Sequence, residues 1–462
     1  MRRRDFFRNG SLAFIGTSLF STQRPLTSET LLKGKTARNI IFMVSDGMST
    51  GTLNMADLLL QRKEGRRSNW LKLYEQNLVH RGLVDTSSAN ALVTDSAAGS
   101  SAWGGGVKVP NGSLNVNADG SFNKPILQKF QSAGKSVGCV TSVPIAHATP
   151  AGFSVNSASR GSMDDIAKQY LDLKFDVLLG AGKENFSSEK RKDKADLFDG
   201  FKKAGYDVVN SRDELRSVES SKKPLLGAFI ESALPFALDA SSDRELAAKI
   251  PSLAEMTDAA IKKLSKNPKG FVMQVEGGKV DWAAHSNDVG GLLYDQIAFD
   301  EALKVAIDFA QKDKETLVIF TSDHGNANPG LFGSAANFDK IQTFKNTNDW
   351  ILRGITHRFT PAQVIERVEA AQGYAIKKEE AERLLTFYVA PKEEGLYNPY
   401  KLPFKQLGEI QSAYTSVSWA GTGHSADFVE LGAFGPGSEL IKPYLKNSDL
   451  HQIMLTAAQV RV

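Results

Sequence analysis

Three groups of residues in this chain have types and spacing that could carry chemistry. They are Val44-Ser-Asp-Gly47 with Thr94-Asp-Ser-Ala-Ala98, the run from Val275 to His285, and Thr321-Ser-Asp-His-Gly325 with His424. Each puts Asp, Glu, His or a Ser hydroxyl at the end of a short apolar run. Gathered carboxylates and imidazoles bind divalent cations such as zinc. A serine beside bound cations is activated as a nucleophile. The chemistry this mixture suits is hydrolysis of a phosphate ester at a site of two or three divalent metals.

The densest group is Val275-Glu-Gly-Gly-Lys-Val-Asp-Trp-Ala-Ala-His285. Two glycines after a strand let the backbone turn sharply. Asp281 and His285 then stand at i and i+4 on one face of a helical turn. That pair suits one zinc, given a third ligand from elsewhere. Glu276, on the strand side of the turn, could serve a separate oxygen-rich site. The plainer reading is a helix start with a surface salt link.

Asp323 and His324 are adjacent, so their side chains diverge if the strand continues. Both reach one metal only if the chain turns there, which Gly325 permits; a capping loop is the alternative. His424, in Gly421-Thr-Gly-His-Ser425, lies on a glycine-flanked loop before the last strand. A lone histidine is more often structural. Of only seven histidines, however, His147, His285, His324 and His424 all fall in glycine- or proline-marked clusters, which favours a ligand. Asp46 ends a strand and precedes Gly47, where a carboxylate can bridge two cations. Ser96 is followed by small residues, and a helix starting there would aim its first amides at an anion; a helix cap is the alternative. Arg160 can hold two phosphate oxygens as a fork, although the sequence alone does not choose it over other arginines.

Strands must deliver these residues. Short β-branched runs at 39–45, 137–143, 177–179, 271–275, 317–321 and 428–434 are mostly continuously apolar, as expected for strands buried on both faces. Helical patterns lie between them at 123–133, 246–264 and 292–310. The alternation predicts an α/β fold with a mostly parallel central sheet sandwiched between helices. Ligands in such sheets sit beyond the carboxyl ends of the strands. Asp46, Glu276 and Asp323 fall at those ends. Residues 183–221, rich in Lys, Asp and Glu, read as a solvated helical excursion. Residues 344–419 break the strand rhythm and read as an inserted subdomain near the site entrance or a subunit interface. Within it, Thr360 can cap a helix from Pro361 that ends before Gly373, and 374–385 continues as a second helix.

The chain has 462 residues, 41% hydrophobic and 23% charged, a globular composition. Length alone suggests about three domains. One site assembled from residues 46 to 424 instead requires one large fold, expected over 36–462. The N-terminus, Arg2-Arg3-Arg4-Asp5-Phe6-Phe7-Arg8 and then a short apolar run, reads as a twin-arginine export signal over about residues 1–28. The run is too short for a membrane span of about 20 residues. The expectation is a periplasmic or secreted protein that uses the twin-arginine machinery. Removing the first 22 residues takes four arginines and Asp5 from a net charge of +4, leaving about +1. The basic balance is therefore largely the signal's, and no nucleic-acid-binding module is indicated. Cys139, the only cysteine, lies in an apolar run and reads as a buried core residue.

The chain resembles the alkaline phosphatases from about residue 37 to 462. The matching segments are Val44-Ser-Asp-Gly-Met48, Thr94-Asp-Ser-Ala-Ala98, His147-Ala-Thr-Pro150 through Arg160, Val275-Glu-Gly-Gly278, Asp281 with His285, Thr321-Ser-Asp-His-Gly325, Gly423-His-Ser425 and Phe434-Gly-Pro-Gly437. The resemblance implies two Zn2+ and one Mg2+. Asp281, His285 and His424 would hold the first zinc. Asp46, Asp323 and His324 would hold the second, with Ser96 beside it as nucleophile. Asp46, Thr149 and Glu276 would bind magnesium, and Arg160 would clamp the phosphate. It also implies phosphate-monoester substrates, a phosphoserine intermediate and a homodimer. His147 stands where some relatives have Asp, so it would sit beside the magnesium ligands. Trp282 stands where some have Lys or His, and the loss of that cation would alter phosphate release and metal preference.

Other enzymes of the same superfamily are the nearest competing readings. A sulfatase needs a Cys-x-Pro-x-Arg or Ser-x-Pro-x-Arg segment, whereas Ser96 is followed by Ala97, Ala98 and Gly99. A phosphodiesterase fits Arg160 less well, because a diester carries less charge and one more substituent. A non-catalytic binder of metal or phosphate would bind phosphate without a product burst.

Overall fold

The computed structural model describes residues 36–389 and 401–461. The arginine-rich N-terminal pattern lies outside the described residues. The largest element is a ten-stranded sheet. From edge to edge its strands are Tyr444–Lys446, His80–Asp85, Val429–Phe434, Thr316–Thr321, Asn39–Ser45, Phe271–Gly277, Ser136–Pro144, Val177–Ala181, Leu225–Ala228 and Asp207–Val209. All are parallel except Val429–Phe434, which runs antiparallel to both neighbours. The mostly parallel α/β architecture expected from the alternation is what forms.

The continuously apolar strands are explained by what covers each face. Ile41 and Met43 join one hydrophobic core with Met273, Val275, Val318 and Phe320. Ile40, Phe42 and Val44 join the other with Val272, Leu317 and Ile319. Side chains alternate between faces along a strand, and helices cover both, so every position is apolar. Cys139 is buried in the second core, and burial pushes its thiol well above the usual range. Among the described residues no helix is long and apolar enough to cross a membrane.

Two expectations need correction. The helical pattern at 246–264 is two helices, Arg244–Lys249 and Leu253–Leu264. Pro251 interrupts them, because proline disfavours helical geometry in the residue before it, and Ser252 opens the second with a capping box. Residues 183–221 are not a solvated excursion. They supply the edge strand Asp207–Val209, and Phe186, Leu197, Phe201 and Tyr206 are buried in the core. Arg191 is also buried, donating to the carbonyls of Asp164 (2.8 Å) and Asn185 (2.7 Å) and to Asp193. The charge density of this stretch hid the apolar residues between the charges.

Within 344–419 the helices Asn348–Arg353, Pro361–Gln372, Lys378–Leu385 and Phe404–Thr415 lead to the strand Val417–Trp419, which pairs antiparallel with Pro329–Leu331. Thr360 caps the second of these helices, with Pro at its start and a left-handed Gly373 at its end. Ile351, Leu352, Val364, Val368 and Leu407 join the first core, so this segment shares the sheet's packing.

One helix contact matters for the site. Every residue of Ser96–Gly105 is buried, and this helix packs against Ala148–Ser154 with almost no space between backbones. A Cβ on Gly104 would lie 1.9 Å from the carbonyl oxygen of Gly152. Gly104→Ala is therefore expected to destabilise the fold by about 2–3 kcal/mol, the upper range for overpacking a rigid core. Thermal denaturation checks this, with a midpoint equal to wild type as the contrary result.

Candidate active site

The site forms where four neighbouring parallel strands end. In sheet order these are Thr316–Thr321, Asn39–Ser45, Phe271–Gly277 and Ser136–Pro144. Val44 lies opposite both Thr321 and Glu276, and Glu276 lies opposite Thr141. This register brings Asp46, Glu276 and Asp323 together although more than two hundred residues separate the first two in sequence. Gly47 makes the approach possible. It is left-handed (φ 68°), and a Cβ there would meet Asp281 Oδ1 at 2.5 Å. Its N–H donates to Asp323 Oδ1 (3.1 Å), and Met48 N donates to Ser322 Oγ (2.9 Å), tying the two strand ends together.

Three sets of side chains come within metal-binding reach, their donor atoms all within 4.8 Å of one another: Asp46, Asp323 and His324; Asp281, His324 and His424; and Asp46, His147 and Glu276. His285 belongs with the second set. Its Nε2 is 3.1 Å from His424 Nε2 and 3.4 Å from Asp281 Oδ2, although 41% of its side chain is exposed. Thr149 is buried, two residues beyond His147 on the helix Ala148–Ser154.

His424 is less mobile than a glycine-flanked loop suggests. His424–Ser425 pairs antiparallel with Gly325–Asn326, with Ser425 opposite Gly325, which docks His424 on the Asp323–His324 turn. His424 Nδ1 lies 2.9 Å from the Thr94 carbonyl, and His285 Nδ1 lies 2.7 Å from the Thr422 carbonyl. A carbonyl only accepts, so both rings carry a proton on Nδ1 and turn Nε2 toward Asp281 and each other. Burial works against the charged rings, but the hydrogen bond and charge of Asp281 push His285 up to about 9 and raise His424. Positive charge is therefore favoured between the two Nε2 atoms 3.1 Å apart, as a shared proton or a bound cation.

The buried oxygens also favour positive charge at this site. Both carboxylate oxygens of Asp46, Asp323 Oδ2, Glu276 Oε1, Thr149 Oγ and His147 Nδ1 are buried without a hydrogen-bond partner. Buried polar groups in folded proteins are almost always satisfied. Burial pushes Glu276 up to about 7, and burial with the neighbouring carboxylates pushes Asp46 well above the usual range. Bound cations would reverse both shifts, because an adjacent positive charge favours the carboxylate form. The residues therefore fit a cluster of divalent metals.

Ser96 opens its helix, and its Oγ lies 3.3 Å from His324 Nε2. That ring is its only side-chain hydrogen-bond partner among the described residues. The cap is Asp95, whose side chain accepts from Ala98 N (3.0 Å), which leaves the Ser96 hydroxyl available. Asp95 also accepts from Gly112 N (3.0 Å) and from Arg160 Nη1 (3.0 Å). Arg160 Nη2 lies 3.3 Å from His147 Nε2, and burial with the Arg160 charge pushes His147 down to about 3, so its neutral ring accepts. Burial works against ionisation of Asp95, but the Ala98 amide and the Arg160 guanidinium hold its carboxyl below the usual range. Trp282 lies edge-on to His147, with ring centres 6.2 Å apart.

The candidate metal, nucleophile and phosphate-binding residues read from the sequence thus lie at or beside this one site. Sequence reasoning missed two positioning residues. Asp95 had a readable signal, an Asp immediately before a run of small residues. Asn326, which donates to Asp281 Oδ1 (2.7 Å), had none, because only the fold brings it there.

Comparison with known proteins points to one family. A family model described as alkaline phosphatase matches residues 37–460. The chain is 34% identical over 429 residues to alkaline phosphatase 4 of Bacillus subtilis, covering 90% of this chain and 88% of that protein. It is 31% identical over 338 residues to the alkaline phosphatase of Escherichia coli, covering 64% and 72%. Among solved structures, the Thermus thermophilus alkaline phosphatase superposes with a TM-score of 0.85 at 32% identity, covering 93% of each chain.

Proposed function

This chain belongs to the alkaline phosphatase family, and from that premise we propose that it hydrolyses phosphate monoesters to an alcohol and inorganic phosphate through a phosphoserine at Ser96. The observation that carries this reading is the Ser96 hydroxyl, 3.3 Å from His324 Nε2, facing buried carboxylates with unpartnered oxygens.

We assign two zinc ions and one magnesium ion. Asp281, His285 and His424 would hold the first zinc, and Asp46, Asp323 and His324 the second. Asp46, Thr149 and Glu276 would hold magnesium, with His147 beside them. When bound, such cations favour the serine alkoxide and offset the negative charge of the phosphoryl group and the departing oxygen. The chain's own groups do the positioning. The start of the helix Ser96–Gly105 sets the Ser96 hydroxyl beside His324. Arg160 would present two guanidinium nitrogens to two phosphoryl oxygens, with Asp95 and His147 fixing the position of the fork. Phosphoryl transfer needs little more from a protein than placement and charge. Ser96 Oγ attacks phosphorus, the P–O bond to the alcohol breaks, and water then cleaves the Ser96–phosphate bond to release phosphate and restore the hydroxyl.

Arg160→Ala is expected to lower kcat/KM for a monoester about 30–100-fold, the equivalent of a lost charge-assisted fork of about 2–3 kcal/mol. Arg160→Lys should recover only part of this, because an ammonium cannot reproduce the fork. Steady-state kinetics on p-nitrophenyl phosphate checks it, and equal kcat/KM in wild type and Arg160→Ala would remove Arg160 from phosphate binding.

We further propose export through the twin-arginine machinery to the periplasm or medium, and a homodimeric assembly. The N-terminal arginine pattern supports the first and the family resemblance the second. The helical segment 344–419 reads as a subdomain at the site entrance, since Asp349, Arg353 and Phe404 border the same cleft as Trp282 and His285.

A further inference from the structure

A cleft of about 810 Å³ opens directly beside the cluster of Asp281, His285 and His424 and shares His285 with it. Its volume is within the range of small-molecule sites, roughly 300–1,000 Å³. Trp282 and Phe236 line it from the sheet side, and Phe404 lines it from the helical segment. The polar groups at its wall are largely engaged. Lys279 is buried with its ammonium 3.5 Å from the centre of the Phe236 ring and 4.9 Å from that of Trp282. Arg353 donates to Asp349 Oδ2 at 2.6 Å. The cleft therefore presents aromatic faces, with its charges neutralised by one another or held against the rings.

We propose that this cleft is a leaving-group subsite that takes monoesters whose alcohol carries a flat aromatic ring system. The inference rests on the monoesterase reading above. In an in-line displacement the attacking and departing oxygens lie on opposite sides of phosphorus. With Ser96 beside the ion assigned to Asp46, Asp323 and His324, the departing oxygen is left to the side of Asp281, His285 and His424. The organic part of the substrate is then delivered to the cleft that His285 borders. An aromatic group there stacks against Phe404 and Trp282, which favours it over a small polar alcohol that offers no ring.

The test compares 2-naphthyl phosphate with glycerol 1-phosphate on zinc- and magnesium-loaded enzyme. Phe404 is only half-buried and belongs to no metal cluster, so Phe404→Ala is the informative variant. The ratio of kcat/KM for 2-naphthyl phosphate to that for glycerol 1-phosphate should fall about tenfold in Phe404→Ala, equivalent to about 1.4 kcal/mol. Phe404→Tyr should restore it, which a purely structural defect in the alanine variant would not predict for the ratio. As a binding readout, 2-naphthylmethylphosphonate should inhibit wild type about tenfold more tightly than methylphosphonate, with the difference lost in Phe404→Ala. If wild type turns over both substrates and the ratio stays within twofold in Phe404→Ala, the subsite is overturned and the monoesterase reading stands. If loaded wild type turns over neither, both are overturned.

Discussion

Replacing Ser96 with alanine should lower kcat for a phosphate monoester by about 10³-fold or more, the scale of loss when a nucleophile is removed from a group of residues acting as a unit. The fold should survive. Ser96 Oγ makes one side-chain hydrogen bond, to His324, and the helix it opens is capped by Asp95 rather than by Ser96 itself. The thermal midpoint of the loaded variant should therefore stay within a few degrees of wild type. The residual rate would come from Arg160 and the bound cations, which still hold the phosphoryl group. Quenching wild type with labelled substrate at acid pH should leave phosphate on Ser96, and none should be found in Ser96→Ala. A variant with more than a tenth of wild-type kcat would remove Ser96 from the mechanism.

Stripping divalent metals should have the second large effect, on both activity and stability. Asp46, Glu276, Asp323 and His324 are fully buried, and several of their atoms have no partner in the protein. A ligand at about 1,000 times its Kd stabilises a fold by roughly 4 kcal/mol. At about 2–4 °C per kcal/mol for larger domains, chelation should lower the melting midpoint by on the order of 10 °C and abolish turnover. The metal-free form should also have a distinctive pH dependence. Burial raises Glu276 from its ordinary 4.5 to about 7. A raised carboxyl binds its proton more tightly when folded, so its contribution is present in full below the ordinary value and is lost as pH rises through that window. Metal-free protein should thus melt lower at pH 8 than at pH 5, and loading with metal should remove the difference. Asp46→Asn should abolish most of the metal-dependent rise in midpoint, because Asp46 takes part in two of the three clusters. An unchanged midpoint after verified metal removal would contradict the account.

The site was more legible than the fold around it. Asp46, Glu276 and Asp323 could be placed at strand ends because fully buried parallel strands read as apolar runs, and Asn39–Ser45 is bounded in the structure as in the sequence. The short edge strands were harder. His80–Asp85 is partly exposed and polar, and Asp207–Val209 has three residues, so neither carries a periodic signal. Register was also hidden. No local pattern indicates that Val44 lies opposite Glu276, or that Gly325–Asn326 pairs with His424–Ser425, because those pairings depend on contacts across the whole chain. The same limit hid Asn326 behind Asp281 and concealed the cleft between Trp282 and Phe404, residues more than a hundred positions apart. The break at Pro251 was readable and outweighs the apolar spacing that runs through it.

The most direct test is turnover of p-nitrophenyl phosphate and bis(p-nitrophenyl) phosphate, at alkaline pH, by wild-type enzyme stripped and then reloaded with zinc and magnesium. The account predicts activity only after reloading, and a kcat/KM for the monoester about 30–100-fold above that for the diester, given an Arg160 fork worth about 2–3 kcal/mol toward a doubly charged phosphoryl group. Preference for the diester, or no monoester turnover by fully loaded enzyme, would contradict it.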